Sequence, residues 1–145
     1  NVLRMEKGHL IIGSESEQRT TLHDVGLGFL WVRKKPKTET VGAMALMHTE
    51  KQEGRLKLVG FKMKDANRAP RDGSIVVNEK IGGYVCIARY STALKEVIGM
   101  ALVEDYLSSE GTPLDIYEDE CNGKLIHANV VKMPFYDLKG ERLRM

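Results

Sequence analysis

Glu6 is one acid inside a segment that is otherwise apolar and bounded by glycine, Leu3-Arg4-Met5-Glu6-Lys7-Gly8-His9-Leu10-Ile11-Ile12-Gly13. The period is strand-like in part, with Leu3 and Met5 on one face and Arg4, Glu6 and Gly8 on the other. A strand carboxylate beside glycine can accept paired hydrogen bonds from a flat N–H/NH2 edge such as that of a pteridine or purine. Charge-assisted pairs of this kind are strong and directional. The competing reading is a solvated Glu on an edge strand, because charged side chains are mostly exposed. Spacing alone leaves both open.

Other chemistry-bearing groups are sparse. His9, His23, His48 and His127 are dispersed, and neither Cys86 nor Cys121 has a Cys or His at metal-ligand spacing. Asp119-Glu120-Cys121 near His127 brings too few ligands together for a tetrahedral zinc site. No Gly-x-Ser-x-Gly, no phosphate-cradling loop and no Gly-x-Gly-x-x-Gly is present; Asp24-Val25-Gly26-Leu27-Gly28 carries only part of the last. A basic run, Arg33-Lys34-Lys35-Pro36-Lys37, could meet anionic ligand groups or stand as a solvated turn.

The elements that must position these groups fall into two kinds. Residues 14–19 read as a polar loop. Thr21-x-x-Asp24 before Val25 is a modest helix-start signal weakened by Gly26 and Gly28. Pro36 disfavours helix at Lys35, and Thr40 is placed to cap a helix carrying Val41, Met44, Ala45 and His48 at helical spacing. After the charged link 51–55 the pattern changes to short strands between turn residues. Six are expected, at 56–63, 74–78, 82–89, 98–104, 113–118 and 124–133. In the first strand, Leu58 and Val59 fall on opposite parities beside Gly60, which suggests a bulge. Asn122-Gly123 should close a hairpin between the last two strands. Closing a six-stranded antiparallel set into a barrel removes its exposed edges. The expected fold is therefore mainly β (α+β), a barrel at 54–145 preceded by a short helical segment at 1–53.

Composition bounds the function. The chain has 145 residues, about one domain. With 42% hydrophobic residues it can pack a core, and with a net charge of +2 and 6% aromatics it lacks the basic, aromatic-lined groove of a nucleic-acid barrel. No nucleic-acid partner is expected, and no membrane either. No apolar run approaches the ~18 residues of a membrane span, and the N-terminus lacks the pattern of a secretory signal. Two cysteines make no disulfide framework; they could be free buried thiols or a pair, and a cytoplasmic location is expected.

Leu3-Arg4-x-Glu6-x-Gly8 followed by Gly13 resembles the Leu-Arg-x-Glu-x-Gly signature of the glycine-cleavage T-protein (aminomethyltransferase) family. That family includes the C-terminal half of the alpha subunit of heterotetrameric sarcosine oxidase and dimethylglycine dehydrogenase. Further matches follow in order: Val41-Gly42 with Leu46; Leu58-Val59-Gly60-Phe61; Asp72-Gly73; Ser91 with Leu94; Ile98-Gly99-Met100-Ala101-Leu102-Val103; and Pro134-Phe135-Tyr136. The ending Pro134-Phe135-Tyr136-Asp137-x-Lys139-Gly140-Glu141-Arg142 resembles the sarcosine oxidase branch more. Tyr90-Ser91-Thr92-Ala93-Leu94 departs from the family's Ser-Pro-Thr-Leu by losing the proline.

The resemblance implies a Greek-key barrel after the end of a folate-binding domain, with tetrahydrofolate as cofactor. Any FAD or NAD would lie on other parts or subunits. It implies that Glu6 holds the pterin, and that Lys34, or its neighbours Arg33 and Lys35, lies near the folate, where a cation could meet the glutamate-tail carboxylates. Phe29 and Trp31 read as core, although a ring edge could pack on a pterin. Arg142 and Arg144 are weaker tail candidates, with a disordered tail the competing reading. The implied reaction is aminomethyl transfer to tetrahydrofolate. The family's catalytic acid lies upstream, so the chain reads as a C-terminal fragment, inactive alone, with the remainder of the protein as partner and, in the sarcosine oxidase branch, oxidase subunits as well. The alternative is a non-catalytic folate-binding or subunit-interface barrel.

Overall fold

The computed structural model describes residues 1–31, 40–63, 68–118, 123 and 125–144. Two short helices, α1 (Val2–Glu6) and α2 (Ala43–Thr49), precede six strands, β1 (Lys57–Met63), β2 (Ile75–Asn78), β3 (Lys80–Ser91), β4 (Glu96–Val103), β5 (Pro113–Tyr117) and β6 (Leu125–Val131). The strands close into an antiparallel barrel in the order β1-β4-β3-β2-β5-β6. Strands β2, β3 and β4 form a meander, and β1 returns to lie beside β4, which is a Greek key. The β5–β6 pairing runs from Pro113↔Asn129 to Tyr117↔Leu125; of the expected turn, Asn122 lies outside the described residues.

The barrel interior holds Val59, Phe61, Met63, Val76, Val85, Ala88, Val97, Ala101, Val103, Leu114, Ile116, Ala128 and Val130. One ring among aliphatic side chains that are mostly small or β-branched suits so narrow a barrel. Phe61 lies over its β4 partner Gly99, where an added Cβ would sit 2.2 Å from the ring.

Outside the barrel wall a second cluster joins Met5, Val25, Leu58, Cys86, Ile87, Ile98, Met100, Leu102 and Phe135. It explains the unbroken apolar run of β4. Strand β4 is buried on both faces, and so are β1 over residues 58–61 and β3 over residues 85–88, since residues 1–30 and the C-terminal tail pack on their outer side, whereas β5 and β6 alternate between buried and exposed.

This second layer also corrects the bulge expected at Gly60. The β1–β4 register is continuous from Lys57↔Val103 to Met63↔Val97. Leu58 is buried because it enters the outer cluster, and Gly60 leaves room for the tail; a Cβ there would lie 2.6 Å from Met133 and 2.9 Å from Phe135. The bulges fall instead between Val76 and Val77 and between Val85 and Ile87. The second admits Cys86 as an extra residue and lets both Cys86 and Ile87 face the outer layer.

Before the barrel, two further expectations change. Asp24 does not continue a helix: its Oδ2 accepts from the Thr21 N–H at 2.7 Å and the Thr21 hydroxyl at 2.9 Å, and Arg55 donates to both its carboxylate oxygens. Its backbone carbonyl takes the Leu58 N–H at 2.7 Å, so this turn is stitched to the start of β1. The helix α2 starts at Ala43, with left-handed Gly42 as its N-cap rather than Thr40, and both Val41 and Met44 are exposed.

Candidate functional site

The signature segment is a helix terminus, and its spacing follows from that. In α1 the N–H of Gly8 donates to the Met5 carbonyl at 2.8 Å, and that of His9 to the Arg4 carbonyl at 2.9 Å. These crossed bonds form a Schellman cap, which needs a left-handed residue at Gly8, φ +69°. The partly strand-like period of this segment therefore does not become a strand; an isolated bridge, Ile12↔Ser16, is the β pairing it makes. One turn of helix is too short for periodicity to distinguish it from a strand. What holds it is tertiary packing, with Met5 fully buried in the outer cluster and Leu3 exposed.

From this turn successive polar side chains reach different parts of the fold. Arg4 grips Glu15 through two hydrogen bonds, of 3.0 and 2.9 Å, and also donates to the His9 carbonyl at 2.8 Å. Glu15 is fully buried and takes two further bonds, from the Ile11 N–H and the Ser14 hydroxyl. Burial pushes its carboxyl pKa up, but the bonds from Arg4, Ile11 and Ser14 outweigh this and hold it below the ordinary value of 4.5. Lys7 donates to the Asp137 carbonyl at 3.2 Å and to its carboxylate at 3.1 Å.

Glu6 points inward and is only 5% exposed. Its Oε1 accepts the hydroxyl of buried Ser91 at 2.6 Å, and its backbone carbonyl accepts the Tyr136 N–H at 2.9 Å. Ser91 ends β3 at the β3–β4 hairpin, and its oxygen in turn accepts the Leu94 N–H at 3.1 Å. The solvated-strand reading of Glu6 therefore fails on burial.

Ser91 falls between two of the expected strands, and nothing in the sequence assigns it chemistry. The local half of its role, a hydroxyl holding an N–H three residues on, is a readable turn signal. The long-range half, a bond across 85 residues of chain, is not.

Lys34 and its neighbours Arg33 and Lys35 lie outside the described residues, so only Glu6 of the expected pair can be placed. Phe29 is exposed and Trp31 half-buried, so neither is core. In the tail, residues Glu141–Arg144 form a 3-10 turn, with the Arg142 guanidinium 5.2 Å from the centre of the Tyr136 ring. Cys86 is a buried free thiol; Cys121 lies outside the described residues. His127 pairs with Asp115 at 2.6 Å on an exposed face. Among the described residues no cluster of His, Cys, Asp or Glu could hold a metal, and no helix is long and apolar enough to cross a membrane.

The sequence profile of the glycine cleavage T-protein C-terminal barrel domain matches residues 57–137. An aminomethyltransferase of Clostridium botulinum (strain Kyoto / Type A2) is 33% identical over 140 residues, 96% of this chain and 36% of the relative. One from Thermosipho melanesiensis is 35% identical over 135 residues, 92% of this chain and 35% of the relative. The crystal structure of glycine cleavage system aminomethyltransferase T from Bartonella henselae shares the fold, with a TM-score of 0.84 over 94% of this chain and 37% of that one, at 22% identity. The chain thus spans about a third of the length of the relatives it matches. With more than half of its residues inside the profile match, the chain belongs to the glycine cleavage T-protein family through its C-terminal barrel domain.

Proposed function

We propose that this chain is the C-terminal part of a tetrahydrofolate-dependent aminomethyl-transfer enzyme, with residues 1–53 the end of its folate-binding domain and 54–145 the barrel. The observation that carries this reading is the match to aminomethyltransferases along more than nine-tenths of this chain and about a third of theirs. In this reading the remaining length lies upstream. Exposed Leu3, Ile12, Phe29, Val41 and Met44, all within the first 44 residues, are apolar surface available to such a neighbour. A cytoplasmic location belongs to the same reading.

The donor chemistry fits a pterin. A carboxylate has about four lone-pair positions, and Ser91 occupies one of those on Glu6. Glu6 keeps the capacity to accept two parallel N–H bonds from a flat heterocycle edge. When bound, tetrahydrofolate supplies N5, the nucleophile that takes the one-carbon unit from an amine to give methylene-tetrahydrofolate. The residues of this chain orient the pterin and help exclude water from it, while Lys34 meets the solvated glutamate tail.

The sarcosine oxidase alpha-subunit branch, with FAD or NAD and partner oxidase subunits elsewhere in the assembly, is a second reading. It is favoured by the tail sequence Pro134-Phe135-Tyr136-Asp137-x-Lys139-Gly140-Glu141-Arg142. A non-catalytic folate-binding barrel is the other alternative.

The test uses the full-length protein. Glu6→Gln keeps the size but turns one acceptor into a donor facing a donor. It should weaken tetrahydrofolate binding by roughly 2 to 4 kcal/mol, about thirty- to a thousandfold. Lys34→Ala should cost about 1 kcal/mol or less, shrinking with salt. The 145-residue chain alone should form no methylene-tetrahydrofolate. Parent-like folate affinity in Glu6→Gln, with thermal unfolding as control, removes Glu6 from the site. Transfer by the chain alone removes the fragment reading.

A further inference from the structure

We propose that Ser91, carried by the barrel, is a positioning residue for folate: it fixes the Glu6 carboxylate in the orientation that receives the pterin, and so couples the barrel to the folate site. This rests on the reading of Glu6 given above. The hydrogen-bond order at Ser91 is determined by its neighbours. The Leu94 N–H can only donate, and it donates to the Ser91 oxygen at 3.1 Å. An ionised Glu6 can only accept, so the hydroxyl proton points to Oε1 at 2.6 Å. Ser91 is fully buried and has no solvent alternative.

Ser91 stands at the paired end of β3: Tyr90 beside it is exposed, but Ser91 itself is fully buried and pairs with Glu96 of β4 across the hairpin. The main chain of Glu6 is fixed separately by the Tyr136 N–H and by the Gly8 cap. With its backbone held from one side and Oε1 from the other, the carboxylate loses rotamer freedom before any ligand arrives. Pre-organisation of this kind strengthens binding by lowering its ordering cost. The barrel then contributes to folate affinity without touching folate.

A double-mutant cycle in the full-length protein tests this, with tetrahydrofolate affinity measured by titration well below each variant's unfolding temperature. Ser91→Ala should weaken tetrahydrofolate binding about tenfold in the Glu6 protein. In the Glu6→Gln background the same change should have about twofold effect or less, because Ser91 acts through the carboxylate. A merely structural Ser91 would lower thermal stability and leave folate affinity alone, or weaken it equally in both backgrounds; either result overturns the inference. Parent-like affinity in Ser91→Ala while Glu6→Gln binds weakly defeats the positioning role and leaves the Glu6 reading standing. Parent-like affinity in Glu6→Gln defeats both. If Ser91→Ala is unfolded at the assay temperature, Ser91→Cys, near in size and a weak donor, is read in its place by the same criteria, with a smaller expected loss.

Discussion

Replacing Arg4 by Met keeps most of the aliphatic stem of the side chain and removes only the guanidinium, so it isolates what that group does for Glu15. Glu15 is fully buried and accepts four hydrogen bonds, two of them from Arg4. Removing one partner of a buried pair typically costs about 3–5 kcal/mol, because the other charge is left uncompensated. Here the Ile11 N–H and Ser14 hydroxyl remain, which places the expected loss at the lower end, about 3 kcal/mol. For a chain of 145 residues that is a fall in Tm of about 6–12 °C.

The pH dependence provides an independent check. In the parent the Glu15 carboxyl is held below 4.5, so its contribution is complete above that pH and is lost as pH falls through the depressed folded value. In Arg4→Met, burial has lost its main opponent and favours the protonated form. The gap between variant and parent should therefore be widest at neutral pH and close as the medium is acidified below about pH 5. Urea unfolding of both proteins at neutral and acid pH measures it. A neutral-pH difference under about 1 kcal/mol, or a gap that does not narrow in acid, refutes the argument that Arg4 compensates a buried charge.

Gly99→Ala should destabilise by about 3 kcal/mol or more, since its Cβ would fall 2.2 Å from the Phe61 ring inside a packed barrel; the chemical unfolding midpoint measures this, and a near-neutral result would mean that Phe61 can move. Burial pushes the Cys86 thiol up to about 12, so in a Cys121→Ser background at neutral pH it should react with a disulfide reagent only as fast as the protein opens. Burst labelling of the folded protein would contradict the doubly covered wall around β3.

How legible the chain is from sequence depends on whether a feature is local. All six strands and their approximate limits are readable, because each is bounded by turn residues and rich in β-branched or apolar side chains. Strand faces are less so. Parity at Leu58 and Val59 looks like a bulge until the outer layer of Met5, Val25 and Phe135 is seen to bury the second face. Sequence alone does not say which strands are covered twice. The helix α1 is hidden for a related reason: its five residues are too few to show a period, although Gly8 two places after Glu6 is a helix-stop signal of the expected kind. Glu6 stands out by type, whereas its partner Ser91 does not, because the bond joining them spans 85 residues and depends on barrel closure.

The short segment from Arg4 to Gly8 carries so many constraints because it lies where three pieces of chain meet. Arg4 reaches the loop at Glu15, Glu6 the β3–β4 hairpin, and Lys7 the tail at Asp137, while Gly8 lies against Met133 and Pro134. A helix offers about 100° between successive residues, so adjacent side chains diverge enough to bond separate elements; a strand would alternate them between only two faces. The left-handed turn at Gly8 then stops the helix before it overruns the tail. Substitutions at Arg4 or Lys7 therefore act on Glu6 indirectly, by loosening the frame on either side of it. Their effect on any ligand held by Glu6 should follow how far they shift α1 relative to β3, rather than the charge they remove.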